Sequence, residues 1–349
     1  MPQRIPNSCA IIVPAYNKAP YVNRTLENLS RIAEHGYRTI IVDDASTDGT
    51  GEIIEDYAAK HPEIETYFMP ENGKKVGAQK AVLHNLPSGI ETVIMLDSDS
   101  FIKNPGSLKS AVSELYKDRK LAGGVFSLQP EGSGIWKGIQ DVEYAMAEGM
   151  RKFTSQIGKI RCASGAGAIY KRPALDDALE KHSGEFLGDD FELTTMVQDK
   201  GYNMKLLPQV KVGTYVPDKW KERIKQLERW IGGGWRVWEN NPKELFRQMA
   251  KPNRFAFLLG LELTAPVALA STLYGLAEGA KRFDFNSMYL ASTAGWSALN
   301  LGIVAYGGAD KKTLAKTALV SPLMLPLTLA TYLPATVLAA GKAIKNALK

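Results

Sequence analysis

The stretch "ETVIMLDSDS" (residues 91–100) runs from an apolar segment straight into two acids, Asp97 and Asp99. A short apolar run of this kind reads as a buried strand, and the acids mark its exit. Two earlier stretches share the form. "CAIIVPAYN" (9–17) is an apolar run stopped at Pro14, and "RTIIVDDAST" (38–47) is one that ends in Asp43 and Asp44. "EIETYFMP" (63–70) is a further strand. Between them lie segments with apolar residues at helical spacing: 19–36, closed by Gly36; 49–62, stopped by Pro62; and "KVGAQKAVLHNL" (75–86). Strands alternating with helices predict an α/β domain with a mainly parallel sheet and helices on both faces. Ligands in such sheets gather at the carboxyl ends of the strands, where "PAYN", "DDAST" and "DSDS" all fall.

The pattern past residue 105 is less regular. It predicts a strand at 123–130, a long helix within 132–158 and a strand hairpin at 161–172. A helix over 188–202, a strand pair over 203–216 and an amphipathic helix over 218–238 follow. Three long apolar stretches come after that. Residues 255–277 carry one charge, Glu262; 285–309 and 317–341 carry none. Each reaches the ~20 residues a helix needs to cross a bilayer. Their prolines, Pro266, Pro322, Pro326 and Pro334, suit membrane helices better than soluble ones. The expectation is two or three transmembrane helices, the first being the one that could instead lie in the interface.

The net charge of +6 favours an anionic partner such as a nucleotide diphosphate or acidic lipid. No Lys/Arg run or basic-aromatic stripe points to nucleic acid. Two cysteines, Cys9 and Cys162, make no disulfide framework and read as reduced thiols. The four histidines lack zinc spacing. The opening "MPQRIPNSCAIIVPAYN" has no secretory-leader pattern.

Several clusters could carry chemistry. Asp97 and Asp99, one residue apart at a strand end, would face one way and offer hard oxygen ligands to Mg²⁺ or Mn²⁺; the plainer alternative is a solvated acidic turn. Asp43 or Asp44 can accept a donor from a base or a ribose hydroxyl, or simply cap a turn. "NGKKVGAQ" (72–79) sets Lys74 and Lys75 at a helix start, suited to a diphosphate. "GDDFELT" (188–194) holds the adjacent acids Asp189 and Asp190, whose repulsion can tune one of them as a general base; the plainer alternative is a solvated helix start. "QLERW" (226–230) puts Gln226, Arg229 and Trp230 on one helix face. Arg clamps phosphate, and Trp offers a plate for a sugar ring.

Taken in order, "VPAYN", "VDDAST", "LDSDS", "SGAGAIYKR", "GDDFELT" and "QLERW" resemble the inverting family 2 glycosyltransferases. More narrowly, they resemble the membrane-integrated branch with hyaluronan, chitin, cellulose and poly-N-acetylglucosamine synthases. The resemblance covers roughly residues 9–240 and continues into the tail. It implies a Rossmann-like GT-A catalytic domain at 1–217, an interfacial helix region at 218–250 and a membrane region at 251–349, the catalytic domain being cytosolic. It also implies roles. Asp43 or Asp44 would hold the uridine of a UDP-sugar donor, helped by Lys75. Asp97 and Asp99 would bind the diphosphate through Mg²⁺ or Mn²⁺. Asp190 would be the base. Gln226, Arg229 and Trp230 would bind diphosphate and acceptor sugar, and Ser164 and Gly165 would lie beside the acceptor. Three apolar stretches are few to enclose a polysaccharide channel, so a channel would take several copies of the chain, a homo-oligomer. Acceptors compatible with the pattern are a growing glycan or a membrane lipid. A binding protein on an inactive transferase fold is the reading that the intact acids argue against.

Overall fold

The computed structural model describes residues 8–184, 188–217, 219–240, 297, 300–308 and 310–319. The chain divides into two compact units, Met1–Gly132 with Gly158–Val216, and Ser133–Ile157 with Pro217–Lys349.

The first unit begins with the expected alternation: β1 (Cys9–Ala15), α1 (Val22–Ala33), β2 (Arg38–Asp43), α2 (Thr50–Ala58), β3 (Ile64–Phe68), α3 (Lys74–Asn85) and β4 (Thr92–Met95). β5 (Ser100–Ile102), α4 (Leu108–Leu115) and β6 (Leu121–Glu131) follow. The helix α5 (Gly134–Ser155) belongs to the second unit, although it lies within 1–217 in sequence. The chain then returns through β7 (Ala168–Lys171), α6 (Arg172–Lys181), α7 (Asp189–Asp199) and β8 (Asn203–Tyr215). One eight-stranded sheet results, in the order β3-β2-β1-β4-β7-β6-β8-β5.

β1 sits where the order reverses. β2 and β3 lie on one side of it and β4 on the other, all parallel. Alternate residues Ala10 and Ile12 pack into a core with Val82 and Leu83 of α3, Leu175 and Leu179 of α6, and Leu193 and Val197 of α7. Ile11 and Val13, which alternate with them, and Ile41 of β2 are equally buried, so the central strands are covered on both faces. Pro14 fits this strand because of pairing parity. The Ile12 carbonyl accepts from Leu96 N–H at 3.1 Å and the Ala15 carbonyl from Asp44 N–H at 2.9 Å. Even-numbered residues therefore face β4, and the donor that proline lacks falls past the last β4 pair, Ile12–Met95.

Four expectations change. The sheet is mixed, because β7 runs antiparallel to β4 and β6, and β5 antiparallel to β8. No hairpin forms at 161–172: residues 161–167 turn, with Gly167 N–H bonding Ser164 O at 3.0 Å, and only β7 is extended. The strand pair over 203–216 is a single strand, β8. Its register against β6 shifts between Phe126 and Ser127, where Pro208 stands in β8 without a donor to give. Asp97 and Asp99 lie beyond β4, in the turn to β5, so strand alternation does not orient them.

The second unit is helical among its described residues. α5 is its spine, with α8 (Trp220–Asn240) and the helical residues 300–306 and 311–319. Trp136 and Trp220 meet with ring centroids 5.3 Å apart. Asp141 pairs with Lys137 at 2.7 Å and with Lys316. A side chain at Gly149 would run into the backbone of Ile303. The apolar stretch 255–277 lies outside the described residues. Of 285–309 only 297 and 300–308 are described, and of 317–341 only 317–319. Among the described residues no helix is long and apolar enough to cross a membrane.

Candidate active site

The loops that follow β1 and β2 are knitted together. Asn17 N–H donates to Ser46 Oγ at 3.0 Å, and Thr47 N–H to Asn17 Oδ1 at 2.9 Å. Lys18 N–H reaches Thr50 Oγ1 at 2.8 Å, and Ala19 N–H reaches Asp48 Oδ2 at 3.1 Å. The polar residues of "PAYN" and "DDAST" thus largely satisfy one another's backbone.

Asp43 and Asp44, alike in sequence, differ in structure. Asp44 Oδ1 accepts Gly73 N–H at 2.8 Å and its carbonyl accepts Asn72 Nδ2 at 3.1 Å, so it anchors the loop entering α3. Burial pushes the Asp44 carboxyl up, against the pull of the Gly73 bond. Asp43 is also buried, but its Oδ1 has no hydrogen-bond partner in the structure. A buried acceptor without a donor is costly unless a ligand supplies one. Asp43 therefore suits a base N–H better than Asp44 does.

Lys75 is the centre of the cluster. Its Nζ donates to Asp97 Oδ1 at 2.6 Å and to Asp190 Oδ1 at 3.0 Å. Burial alone would depress its pKa, but Asp190 and Asp97 outweigh that and hold the ammonium well above the usual lysine range. Lys75 pairs with neither Asp43 nor Asp44; it joins one acid of Asp-x-Asp to the second acid of Gly-Asp-Asp. Asp99 instead meets Lys18 Nζ at 3.5 Å. Burial, then repulsion from Asp97, raises the Asp99 carboxyl despite Lys18.

Asp190 owes its place to helix periodicity. Asp190, Thr194 and Gln198 are four residues apart on α7, hence on one face. Each binds the backbone of the segment before β7. Asp190 Oδ2 accepts Gly165 N–H at 2.7 Å, Thr194 Oγ1 accepts Ala163 N–H at 2.9 Å, and Gln198 Oε1 accepts Ile160 N–H at 3.1 Å. A Cβ at 165 would meet Lys75 Nζ and, at 2.6 and 2.8 Å, the two Asp190 oxygens, so any larger residue there displaces both side chains. Ser164, next to it, turns its Oγ to Ala166 N–H at 3.4 Å.

Asp189 points elsewhere. Burial raises its carboxyl, Lys75 offsets part of that, the charge of Asp190 adds to it, and its Oδ1 has no hydrogen-bond partner in the structure. His182, absent from the sequence reading, is buried and braces this turn. Its Nδ1 accepts Gly184 N–H at 3.1 Å, which leaves Nε2 to donate to the Asp189 carbonyl at 3.0 Å. Lone histidines carry no pattern that would have revealed this.

Gln226, Arg229 and Trp230 all lie on α8 in the second unit. Arg229 is exposed and Trp230 is 42 % exposed. Gln226 is bonded by Arg223, at 2.5 Å.

The carboxylates can be tested as a cation site. Asp97 and Asp99 are close enough to repel, and each is neutralised by a lysine ammonium, which a divalent cation could replace. Among the described residues no three His, Cys, Asp or Glu gather into a closed metal cage. Two carboxylates with remaining positions open to phosphate oxygens and water fit Mg²⁺ or Mn²⁺ chemistry.

The class follows from fold and site together. Residues 6–233 match the model of glycosyltransferase-like family 2, and the chain belongs to that family. It is 28% identical over 235 residues to an N-acetylglucosaminyltransferase of Rhizobium meliloti (strain 1021), covering 63% of this chain and 54% of that protein. A Sinorhizobium fredii N-acetylglucosaminyltransferase is 26% identical across 92% of this chain and 80% of its own length. A poly-beta-1,6-N-acetyl-D-glucosamine synthase of Staphylococcus epidermidis is 26% identical over 65% of this chain and 55% of its own length. The chain thus spans about half the length of most of these relatives. Among solved structures, the mannosyltransferase PcManGT from Pyrobaculum calidifontis, in complex with GDP-Man and Mn²⁺, shares the fold. Its TM-score is 0.60 at 22% identity, over 90% of this chain and 86% of that one.

Proposed function

We propose that this protein is an inverting hexosyltransferase that moves a sugar from a UDP-sugar to a glycan acceptor at the cytosolic face of a membrane. The observation that carries the reading is the meeting of Asp97, Lys75, Asp190 and Gly165 at the carboxyl end of the sheet. In one displacement, the acceptor oxygen bonds to the anomeric carbon as the bond to the diphosphate breaks. UDP leaves, and the acceptor's proton passes to Asp190. Mg²⁺ or Mn²⁺ held by Asp97 and Asp99 would neutralise charge on the leaving diphosphate. Asp43 Oδ1 would accept the uracil N–H.

The two carboxylate oxygens of Asp190 have separate tasks in this scheme. Oδ2 stays on Gly165 N–H and fixes the group. Oδ1, now on Lys75, is the atom an acceptor hydroxyl would reach, with Lys75 turning to the diphosphate on its flexible stem. Gln226, Arg229 and Trp230 would receive diphosphate and acceptor from α8. The apolar stretches 255–277, 285–309 and 317–341 support the membrane assignment.

The names of the relatives make UDP-N-acetylglucosamine the first donor to test, with GDP-mannose as the comparison. The purified full chain is assayed in detergent with added lipid for nucleotide release, and the product is weighed by mass spectrometry. A glycan series, β-linked by its anomeric proton couplings in NMR, supports the proposal. A single sugar on a lipid would replace the glycan acceptor by a lipid one. Absence of sugar-dependent nucleotide release from any donor would overturn it.

A further inference from the structure

Arg223 is 1 % exposed, the largest fully buried side chain among the described residues, and neither the family pattern nor the acid clusters call for it. It lies on α8, three residues before Gln226. Its Nη2 meets both carboxylate oxygens of Glu143 on α5, at 2.6 and 2.5 Å. Its Nη1 meets Gln226 Oε1 at 2.5 Å, and its guanidinium carbon lies 5.5 Å from the centre of the Trp230 ring. One guanidinium therefore contacts both Gln226 and Trp230 of "QLERW".

The chemistry of that contact has one sense. Guanidinium can only donate, so the Gln226 atom facing it must be the carbonyl oxygen. The amide NH₂ is then left for other partners. Trp230 rests over the same cation yet is 42 % exposed, so part of its ring surface remains open. Arg229 adds a guanidinium. With Gln226 fixed in this sense, these three residues present donors and an aromatic plate, a set matched to the oxygens of a phosphate or a sugar.

We propose that Glu143 and Arg223 are positioning residues that fix this polarity: Glu143 locks the guanidinium, and the guanidinium sets the Gln226 amide outward and supports the Trp230 ring. The ligand class is the hydroxyl- and phosphate-rich substrate of the transfer reaction. The inference rests on the reading of α8 as a substrate-binding helix. Lysine cannot replace arginine here, because its one nitrogen would have to serve both Glu143 and Gln226, which Nη2 and Nη1 now serve separately.

The test uses the full chain in detergent, measuring thermal midpoint, donor KM, acceptor KM and kcat. Arg223→Lys keeps the charge opposite Glu143; it is expected to fold with a midpoint within a few degrees of the parent while acceptor KM rises about tenfold. Gln226→Glu keeps an oxygen for Arg223 but replaces the outward donor by an acceptor. It is expected to be at least as stable as the parent and to lose about tenfold in transfer. Combined, the two changes should cost less than the product of their separate effects. A purely structural pair would lower the midpoint and leave the kinetics of the folded enzyme unchanged, and this would overturn the proposal. Trp230→Ala is the separate control: normal transfer by that variant would remove the α8 reading and the proposal with it. Impaired Trp230→Ala beside unaffected Arg223→Lys and Gln226→Glu would reject only the positioning role.

Discussion

Lys75 in the sheet unit and Arg223 in the helical unit each bind carboxylate oxygens, but the two clusters are built differently. Lys75 touches one oxygen each of Asp97 and Asp190, and the three side chains are 24%, 34% and 32% exposed. Arg223 is buried, with Nη2 on both Glu143 oxygens and Nη1 on Gln226. An ammonium is a compact charge on a flexible stem, able to exchange partners; a guanidinium fork is held by its geometry. Buried pairs lose heavily when one member is removed, because the other is left charged and dry. The difference teaches which cluster can change state. In the proposed reaction the partly wet lysine cluster would hand its carboxylates to a cation and an acceptor. The dry arginine cluster can only hold its neighbours still.

Substitution can break that contrast. Asp190→Asn keeps the size of the side chain and removes the base. Transfer should fall by roughly 10²–10⁴-fold with nucleotide affinity nearly unchanged. If Asp189→Asn were the inactive variant and Asp190→Asn active, the Lys75 cluster would not be the reacting one. Chelation comes next: excess EDTA should abolish transfer and added Mn²⁺ or Mg²⁺ restore it, with Asp99→Asn weakened about 10²-fold at saturating metal. Full activity in EDTA would leave Lys18 and Lys75 as the permanent partners of the two acids.

Gly165→Ala sharpens the comparison without changing any charge. Its Cβ would meet Lys75 Nζ and, at 2.6 and 2.8 Å, the Asp190 oxygens, so the lysine and the carboxylate must both move. A displacement near 1 Å should cost about 10²-fold in kcat, and an unchanged kcat would show that Asp190 need not be held. The smallest effect concerns Glu114, the sheet unit's reversed case, a carboxylate between two lysines. Hydrogen bonds from Lys117 and Lys205 hold its pKa down to about 2. Its stabilisation is therefore present above the usual carboxylate value of about 4.3. It is lost as the pH falls through about 2. Glu114→Gln should lose about 1 kcal/mol at neutral pH, given solvent screening, with unchanged transfer. In chemical denaturation the two proteins should converge near the acid end; a difference that persists there would assign the loss to packing instead.

The early strands and helices were readable because they are strongly patterned. "CAIIV", "RTIIV" and "TVIM" are apolar on both faces, which only a covered central strand tolerates, and the acids after them mark the ligand edge. The later half misled where direction and continuity depend on partners. β7 is a short apolar run whose antiparallel course is set by its neighbours β4 and β6. β8 reads as two strands because Pro208 interrupts it, yet β6 pairs with it on both sides of the irregularity. The helices α4 and α6 carried too short a pattern to separate from loop.

Local chemistry alone, then, determined that this chain carries a parallel α/β start and acids at strand ends. It also placed Gly-Asp-Asp at a helix start and an Arg-Trp face on a later helix. Those follow from side-chain type and spacing, which act within a few residues. Tertiary structure decided the partners. Asp43 keeps an unpaired oxygen while Asp44 is tied to Gly73. Lys75 crosses from α3 to two acids 22 and 115 positions away, and Glu143 reaches Arg223 across 80. No periodicity encodes such distances. They arise because sheet order and helix packing bring remote residues within hydrogen-bond range, and because a buried charge must find a partner there.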